Sequence, residues 1–294
     1  MTPDRDSLQA ELMQFLKIPS VSTLPAHNAD CRAAAEWVAG ELRRLGCSDV
    51  RLLASETHPV VWGVGPEVPG APTLLIYGHY DVQPPDPLDE WVSPPFVPSV
   101  RGNALFARGA ADDKGQVFCL LKAIAAGGAP RANFRFLIEG EEEHGSRVLF
   151  DLLEREPERG HADAILIADM AYVARGWPAV YTALRGLCYA EITVRTARSD
   201  LHSGEFGGAA PNAHEELLRL LGRIKGPDGK INIPGLYAAV KRPSRQELTA
   251  WRKLPFKEAS RVSRACHVQC VWCDAVEQRC QLPYSIRARV HRVQ

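Results

Sequence analysis

The feature that most constrains the fold of this chain is a set of three apolar segments that each end in acidic residues or histidine. They are TLLIYGHYD, which ends at His79 and Asp81, NFRFLIEGEEE, which ends at Glu139–Glu143, and ADAILIAD, which ends at Asp169. Segments with apolar residues at helical spacing, such as KGQVFCLLKAIAA, separate them. Strands that alternate with helices predict an α/β fold, in which helices cover the faces of a central sheet.

The ends of these apolar segments predict a functional site. Ligands of α/β sheets bind beyond the carboxyl ends of the strands. We therefore expect the three endings to converge, together with the turn at Asp112 and Asp113 that precedes a predicted helix. One polar strand end carries little weight, because such residues are usually just solvated. Three endings and the added turn favour a binding or catalytic site.

The residue types at these ends suit a metal ion. Imidazole and carboxylate together are ligands for zinc, manganese or cobalt, and crowded carboxylates take up protons unless a cation neutralises them. Asp81 lies two residues after His79 and can accept the far ring N–H of that histidine. Glu142 and Glu143 need not point the same way, so one can bind metal while the other acts as a base. Such a pair alone is more often solvated surface, but this one follows an apolar strand.

The charge balance excludes some classes of function. The 294 residues include 35 Lys and Arg and 35 Asp and Glu, so no basic field exists to recruit nucleic acid or anionic lipid. No apolar run is long enough to span a bilayer, and the first 20 residues lack the apolar core of a signal peptide. We expect a cytoplasmic protein without a membrane or nucleic-acid partner. Four scattered cysteines are expected to be buried, reduced thiols: Cys31, Cys47, Cys119 and Cys188.

The character of the sequence changes after about Arg185. An alternating segment at Tyr189–Thr196 predicts a half-exposed strand, and the loop DLHSGEFGG and the helical pattern NAHEELLRLLGRIK follow it. We therefore predict a metal-binding catalytic domain over residues 1–184 and a smaller domain over residues 185–258. Residues 259–294 form an atypical tail rich in cysteine and arginine.

Several motifs together resemble one enzyme family. YGHYDVQPPD, LFARGAADDKGQ, FLIEGEEEHGS, ILIAD and DLHSGEFGG follow one another in the order and spacing of the M20 family of metallohydrolases. The resemblance runs from about residue 8 to about residue 257, and DVQP is most similar to the dipeptidase branch. It implies a zinc-peptidase-like mixed sheet sandwiched by helices, with the start of a smaller α+β lid and dimerisation domain.

The resemblance also implies a role for each candidate residue. His79 and Asp169 would bind one zinc ion, Glu143 would bind a second, and Asp112 would bridge the two, with Mn²⁺ or Co²⁺ as alternatives. The peptide bond between Asp112 and Asp113 would be cis. Three further residues would take part in hydrolysis of dipeptides or short peptides: Glu142 as general base, Asp81 as the residue that orients His79, and His202 as a group that reaches across a homodimer to polarise the substrate carbonyl.

The chain departs from the family pattern at its end. Family members are longer, so we expect an incomplete catalytic domain that lacks one histidine of the second zinc site and binds at most one zinc ion at the strand ends. The tail at residues 259–294 is interpreted as an out-of-frame translation or as a small zinc knuckle. The rival functions are an inactive homologue that only binds or dimerises, and a nucleic-acid-binding module built on the tail.

Overall fold

The computed structural model describes residues 4–128, 130–170, 174, 176–177, 179–181, 190–226, 228–238 and 240–255. The chain forms two compact units, Met1–Ala171 and Tyr172–Gln294. The predicted domain limits near residues 184 and 258 lie outside the described residues and stay predictions. The same holds for the tail at residues 259–294 and for Cys188.

The first unit contains four helices and seven strands among its described residues. The helices are α1 (Arg5–Leu16), α2 (Asn28–Arg44), α3 (Lys114–Ala126) and α4 (Arg147–Arg155). The strands are β1 (Arg51–Leu53), β2 (Val60–Val64), β3 (Thr73–His79), β4 (Ser99–Arg101), β5 (Ala104–Phe106), β6 (Asn133–Glu139) and β7 (Ala164–Ile167). Short 3-10 helices occupy Pro25–His27, Leu88–Glu90, Glu142–His144 and Pro157–Gly160.

Five of these strands form one mixed sheet in the order β1-β2-β6-β3-β7. Strand β3 runs parallel to both β6 and β7, whereas β2 is antiparallel to β1 and β6. Strands β4 and β5 form a separate antiparallel pair. The three apolar segments that were predicted to end together are therefore neighbouring parallel strands, and their carboxyl ends lie at one edge of the sheet.

Alternate residues of each strand point to opposite faces of the sheet. Both faces carry apolar residues, and helices cover both. On one face, Ile76 and Phe136 are buried in a core that includes residues of α1, α2 and α3. On the other face, Leu75 and Leu137 pack with Leu149 of α4. The predicted α/β class, a mixed sheet sandwiched by helices, is confirmed.

A glycine in β3 permits the close approach of α3. A Cβ atom at Gly78 would lie 2.6 Å from Val117 Cγ2 and 2.8 Å from Asp113 Oδ2. Only a residue without a side chain fits between the strand and the start of this helix. The approach places the Asp112–Asp113 turn directly beside the end of β3.

One cysteine was predicted wrongly. Cys119 is exposed, whereas Cys31 is buried and Cys47 is half-buried, and all three are free thiols. The buried side of α3 includes Val117, Phe118 and Leu121. The helical period places residue 119 on the opposite side, away from the sheet.

The regular secondary structure of the second unit is helical over its described residues. It contains α5 (Ser203–Phe206), α6 (Ala213–Ile224) and α7 (Arg245–Arg252), together with isolated bridges such as Lys225 with Ile231. The strand predicted at Tyr189–Thr196 is not formed over residues 190–196. A half-exposed strand needs a neighbour to satisfy its backbone groups, and among the described residues no β-bridge joins this segment to a strand. Across the same described residues, every helix falls short of the length and apolarity that crossing a membrane requires.

Candidate metal centre

His79, the last residue of β3, is fully buried and held on both ring nitrogens. Its Nε2 lies 3.0 Å from Asp112 Oδ1. Its Nδ1 lies 3.2 Å from Asp81 Oδ1 and 3.1 Å from the Asp81 carbonyl oxygen. Asp81 thus contacts the ring nitrogen opposite to the one that faces Asp112, and its predicted orienting role stays a prediction.

The turn before α3 supplies two carboxylates with different environments. The peptide bond between Asp112 and Asp113 is cis, which confirms the expectation. Asp112 is 61% exposed, whereas Asp113 is fully buried and accepts the backbone N–H of His79 at 3.1 Å. Burial raises the pKa of Asp113 to about 7. Asp112 therefore faces the open side of the site while Asp113 fixes the strand end.

Asp169 completes a three-residue cluster at this edge of the sheet. It lies two residues beyond the end of β7. One ligand atom from each of His79, Asp112 and Asp169 lies within 4.8 Å of the others. Ligand atoms around a tetrahedral zinc ion at bond lengths of 2.0–2.2 Å are about 3.4 Å apart. Small side-chain adjustments would bring these three atoms to that spacing.

Glu142 and Glu143 lie on the short 3-10 helix that follows β6. Their backbone N–H groups donate to the two oxygens of Asp81, at 3.2 Å and 3.1 Å. The Glu143 side chain accepts Gln83 Nε2 at 2.7 Å. Among the described residues, the cluster of three does not include Glu143, so its predicted role as a ligand stays a prediction. The same is true of Glu142 as a base.

The electrostatics of the site reflect several carboxylates around one imidazole. Burial opposes the charged form of His79, but hydrogen bonds to Asp112 and Asp81 outweigh it and raise the pKa of His79 to about 11. Burial also raises the pKa of Glu142, Glu143 and Asp169, and the charge of Asp112 adds to each of these shifts. A bound dication would reverse this mutual repulsion, so the donor set fits a divalent metal ion.

His202 lies in the second unit, where it caps a short helix. Its Nδ1 accepts the backbone N–H of Gly204 at 3.0 Å, and its side chain is exposed. This contact caps the short helix locally. The role of His202 across a dimer stays a prediction.

Two residues that the sequence analysis did not single out contact the predicted ones. Ser22 donates to Asp81 and Gln83 donates to Glu143. Gln83 belongs to the DVQP motif, so the motif itself was the available signal. Ser22 lies in an irregular segment between α1 and α2, and no spacing rule connects it with a residue 59 positions away.

The family profile and the relatives that this chain matches all point to one family of peptidases. The sequence profile of peptidase family M20/M25/M40 matches residues 75–241. A cysteinylglycine-S-conjugate dipeptidase of Corynebacterium striatum is 34% identical, over 82% of this chain and 54% of that protein. The Beta-Ala-His dipeptidase of Homo sapiens is 30% identical, over 88% of this chain and 56% of that protein. The chain thus spans about half the length of the curated relatives it matches.

Solved structures agree with this family. An M20 family metallo-carboxypeptidase from Sulfolobus solfataricus superposes with a TM-score of 0.75 at 27% identity, covering 95% of this chain and 62% of that one. Human carnosine dipeptidase 1 superposes with a TM-score of 0.63 at 27% identity, covering 93% of this chain and 61% of that one. The mixed sheet and its flanking helices are therefore shared with metallopeptidases.

Proposed function

This chain belongs to peptidase family M20/M25/M40, and on that premise we propose that it takes part in metal-dependent hydrolysis of dipeptides or short peptides. The observation that carries the proposal is the cluster of His79, Asp112 and Asp169 at the shared end of parallel strands. The substrate class rests on the relatives, which are named for a cysteinylglycine S-conjugate and for Beta-Ala-His.

We propose zinc as the metal, with Mn²⁺ or Co²⁺ as alternatives, because one imidazole and two carboxylates form its donor set. His79 and Asp169 would hold one ion, Glu143 would contribute to a second, and Asp112 would lie between them. When bound, the metal supplies Lewis acidity toward the amide carbonyl and lowers the pKa of water.

Glu142 is proposed as the general base. Burial raises the pKa of its carboxyl above the ordinary value, which brings a carboxylate closer to the basicity that proton transfer at neutral pH requires. Its backbone N–H is held by Asp81, so the residue is tied to the same carboxylate that contacts His79. Glu142 would accept a proton from water as that water attacks the amide carbon, and would pass it to the leaving amine.

Asp81 is proposed to orient His79. Its carboxylate contacts Nδ1 of the ring, which leaves Nε2 directed at Asp112 and the open side of the site. Such outer contacts fix the tautomer and orientation of a ligating histidine.

The second unit is proposed as part of a lid and homodimerisation domain in a cytoplasmic enzyme. The support for this step is the resemblance of DLHSGEFGG and the family match through residue 241. His202 would act on the substrate of the partner subunit.

The experiment that tests the function is a dipeptide hydrolysis assay on the purified chain with added Zn²⁺ or Mn²⁺. Glu142→Gln keeps the size of the side chain but removes the base, and should lower kcat roughly 10²- to 10⁴-fold while zinc remains bound. Glu154→Gln, an exposed position on α4, is the matched control and should leave kcat unchanged. Metal-independent turnover, or full activity in Glu142→Gln, would refute the proposal.

A further inference from the structure

The segment from Ser20 to Ser22 lies against the residues that follow β3. Val21 forms a parallel bridge with Val82. The backbone N–H of Val82 donates to the Ser20 carbonyl at 2.9 Å, and Ser20 Oγ donates to the Tyr80 carbonyl at 2.7 Å. This segment therefore lies beside the residues by which the chain leaves β3, next to His79 and Asp81.

Ser22 completes the hydrogen bonding of Asp81. Ser22 is 4% exposed and Asp81 is fully buried. Ser22 Oγ donates to Asp81 Oδ2 at 2.6 Å, and the Glu143 N–H donates to the same oxygen at 3.1 Å. The other oxygen, Oδ1, lies 3.2 Å from both His79 Nδ1 and the Glu142 nitrogen. Each carboxylate oxygen thus has two partners, which matches its two lone pairs.

We infer that Ser22 is a positioning residue for the candidate metal centre and acts through Asp81. The inference rests on the proposed function, since it assigns Ser22 a purpose in that site. The Asp81 carboxylate joins two parts of the site, the His79 ring on one side and the backbone of Glu142 and Glu143 on the other. Its orientation decides where both parts lie.

Loss of the Ser22 hydroxyl would leave the two oxygens of the Asp81 carboxylate with unequal numbers of hydrogen-bond donors. Oδ2 would keep one donor while Oδ1 kept two, in a place where a buried charged acceptor needs its full set of partners. The carboxylate would then rotate, and the rotation would move the imidazole of His79 and the turn that carries Glu142 and Glu143. Precise placement of ligands and base is what such outer contacts supply in metal sites.

Ser20 offers a matched control. Like Ser22 it is buried and its hydroxyl makes one hydrogen bond, but the acceptor is the Tyr80 carbonyl and not a side chain of the site. Ser20→Ala and Ser22→Ala remove the same group from the same segment. If Ser22 has a merely structural role, the two substitutions should change zinc affinity equally. If Ser22 positions the site, only Ser22→Ala should weaken zinc binding strongly.

The test measures thermal unfolding, zinc affinity by chelator competition, and the visible absorption spectrum of the Co²⁺-loaded protein. Ser22→Ala should weaken zinc binding roughly 10- to 100-fold and change the Co²⁺ spectrum. Ser20→Ala should change zinc affinity by less than about threefold. Because it also removes one buried hydroxyl, it shows how much of the effect comes from that loss alone. Equal affinities and spectra in the two variants would overturn the inference.

Two further arms keep the test decisive. If Ser22→Ala does not fold, Ser22→Cys fills similar space with a weak donor and should show the same loss of zinc affinity, while unchanged affinity would overturn the inference. Zinc affinity is read without any substrate. A parent chain that binds zinc but hydrolyses no dipeptide would therefore defeat the proposed function and leave the Ser22 comparison intact.

Discussion

His79 and Glu139 stand opposite one another at the last register position of the parallel pair β3 and β6. Because the two strands end together, the residues that follow them begin at the same level of the sheet. Asp81 therefore reaches the backbone of Glu142 and Glu143, although 61 and 62 positions separate them in sequence. This register is the structural reason that candidate ligands and candidate base share one site.

The close contact of α3 with β3 leads to a prediction for Gly78. Gly78→Ala places a Cβ atom 2.6 Å from Val117 Cγ2 and 2.8 Å from Asp113 Oδ2. We expect a loss of about 1–3 kcal/mol in the free energy of unfolding, together with weaker zinc binding as the turn is displaced. Gly222→Ala on α6 meets no atom within 4 Å and should be neutral or slightly stabilising. Urea denaturation compares the two, and equal stabilities would contradict the prediction.

The hydrogen bond from the His79 backbone to Asp113 leads to a second prediction. Asp113→Ala removes the acceptor of that N–H, which lies at the carboxyl end of β3. Asp163→Ala removes a similar bond to the N–H of Thr73, at the start of the same strand. Isothermal titration should show zinc affinity at least about tenfold weaker in Asp113→Ala, as for other outer contacts of metal ligands. Zinc affinity should be unchanged in Asp163→Ala. A larger loss of zinc affinity in Asp163→Ala than in Asp113→Ala would show that the bond at the end of β3 does not support the site.

The buried carboxyl of Glu139 predicts a pH dependence of stability. Burial raises the pKa of Glu139 from 4.5 to about 7. The hydrogen bond from Tyr77 favours the ionised form and lowers the pKa, but burial has the larger effect. Between these values the folded chain holds a proton that the unfolded chain releases, so stability falls as pH rises from 4.5 to 7. The fall amounts to roughly 3 kcal/mol, at 1.36 kcal/mol per pKa unit.

Glu139→Gln should abolish this part of the pH dependence, because the amide does not titrate. Glu154→Gln, at an exposed position on α4, should retain the slope of the parent chain. Denaturation at several pH values across the window measures the slopes. An unchanged slope in Glu139→Gln would show that another group is responsible.

The strand ends could be predicted from sequence, since long apolar runs with abrupt polar ends are local signals. The predicted helix KGQVFCLLKAIAA coincides with α3, from Lys114 to Ala126. The contact of Ser22 with Asp81 could not be predicted, because it depends on how an irregular segment packs against the sheet. The strand predicted at Tyr189–Thr196 failed over residues 190–196 because alternation indicates a strand but does not supply its partner.

The central claim is that His79, Asp112 and Asp169 hold a metal ion at the carboxyl ends of β3 and β7. The direct test is zinc affinity by chelator competition, with the cysteines of the tail replaced by serine: Cys266, Cys270, Cys273 and Cys280. The parent chain should bind zinc tightly, and His79→Ala and Asp169→Asn should each weaken binding by at least about 100-fold, since affinity depends on ligand count and geometry. Asp163→Asn, before β7 and outside the cluster, should bind as the parent does. Zinc affinity in His79→Ala and Asp169→Asn equal to that of the parent would contradict the account.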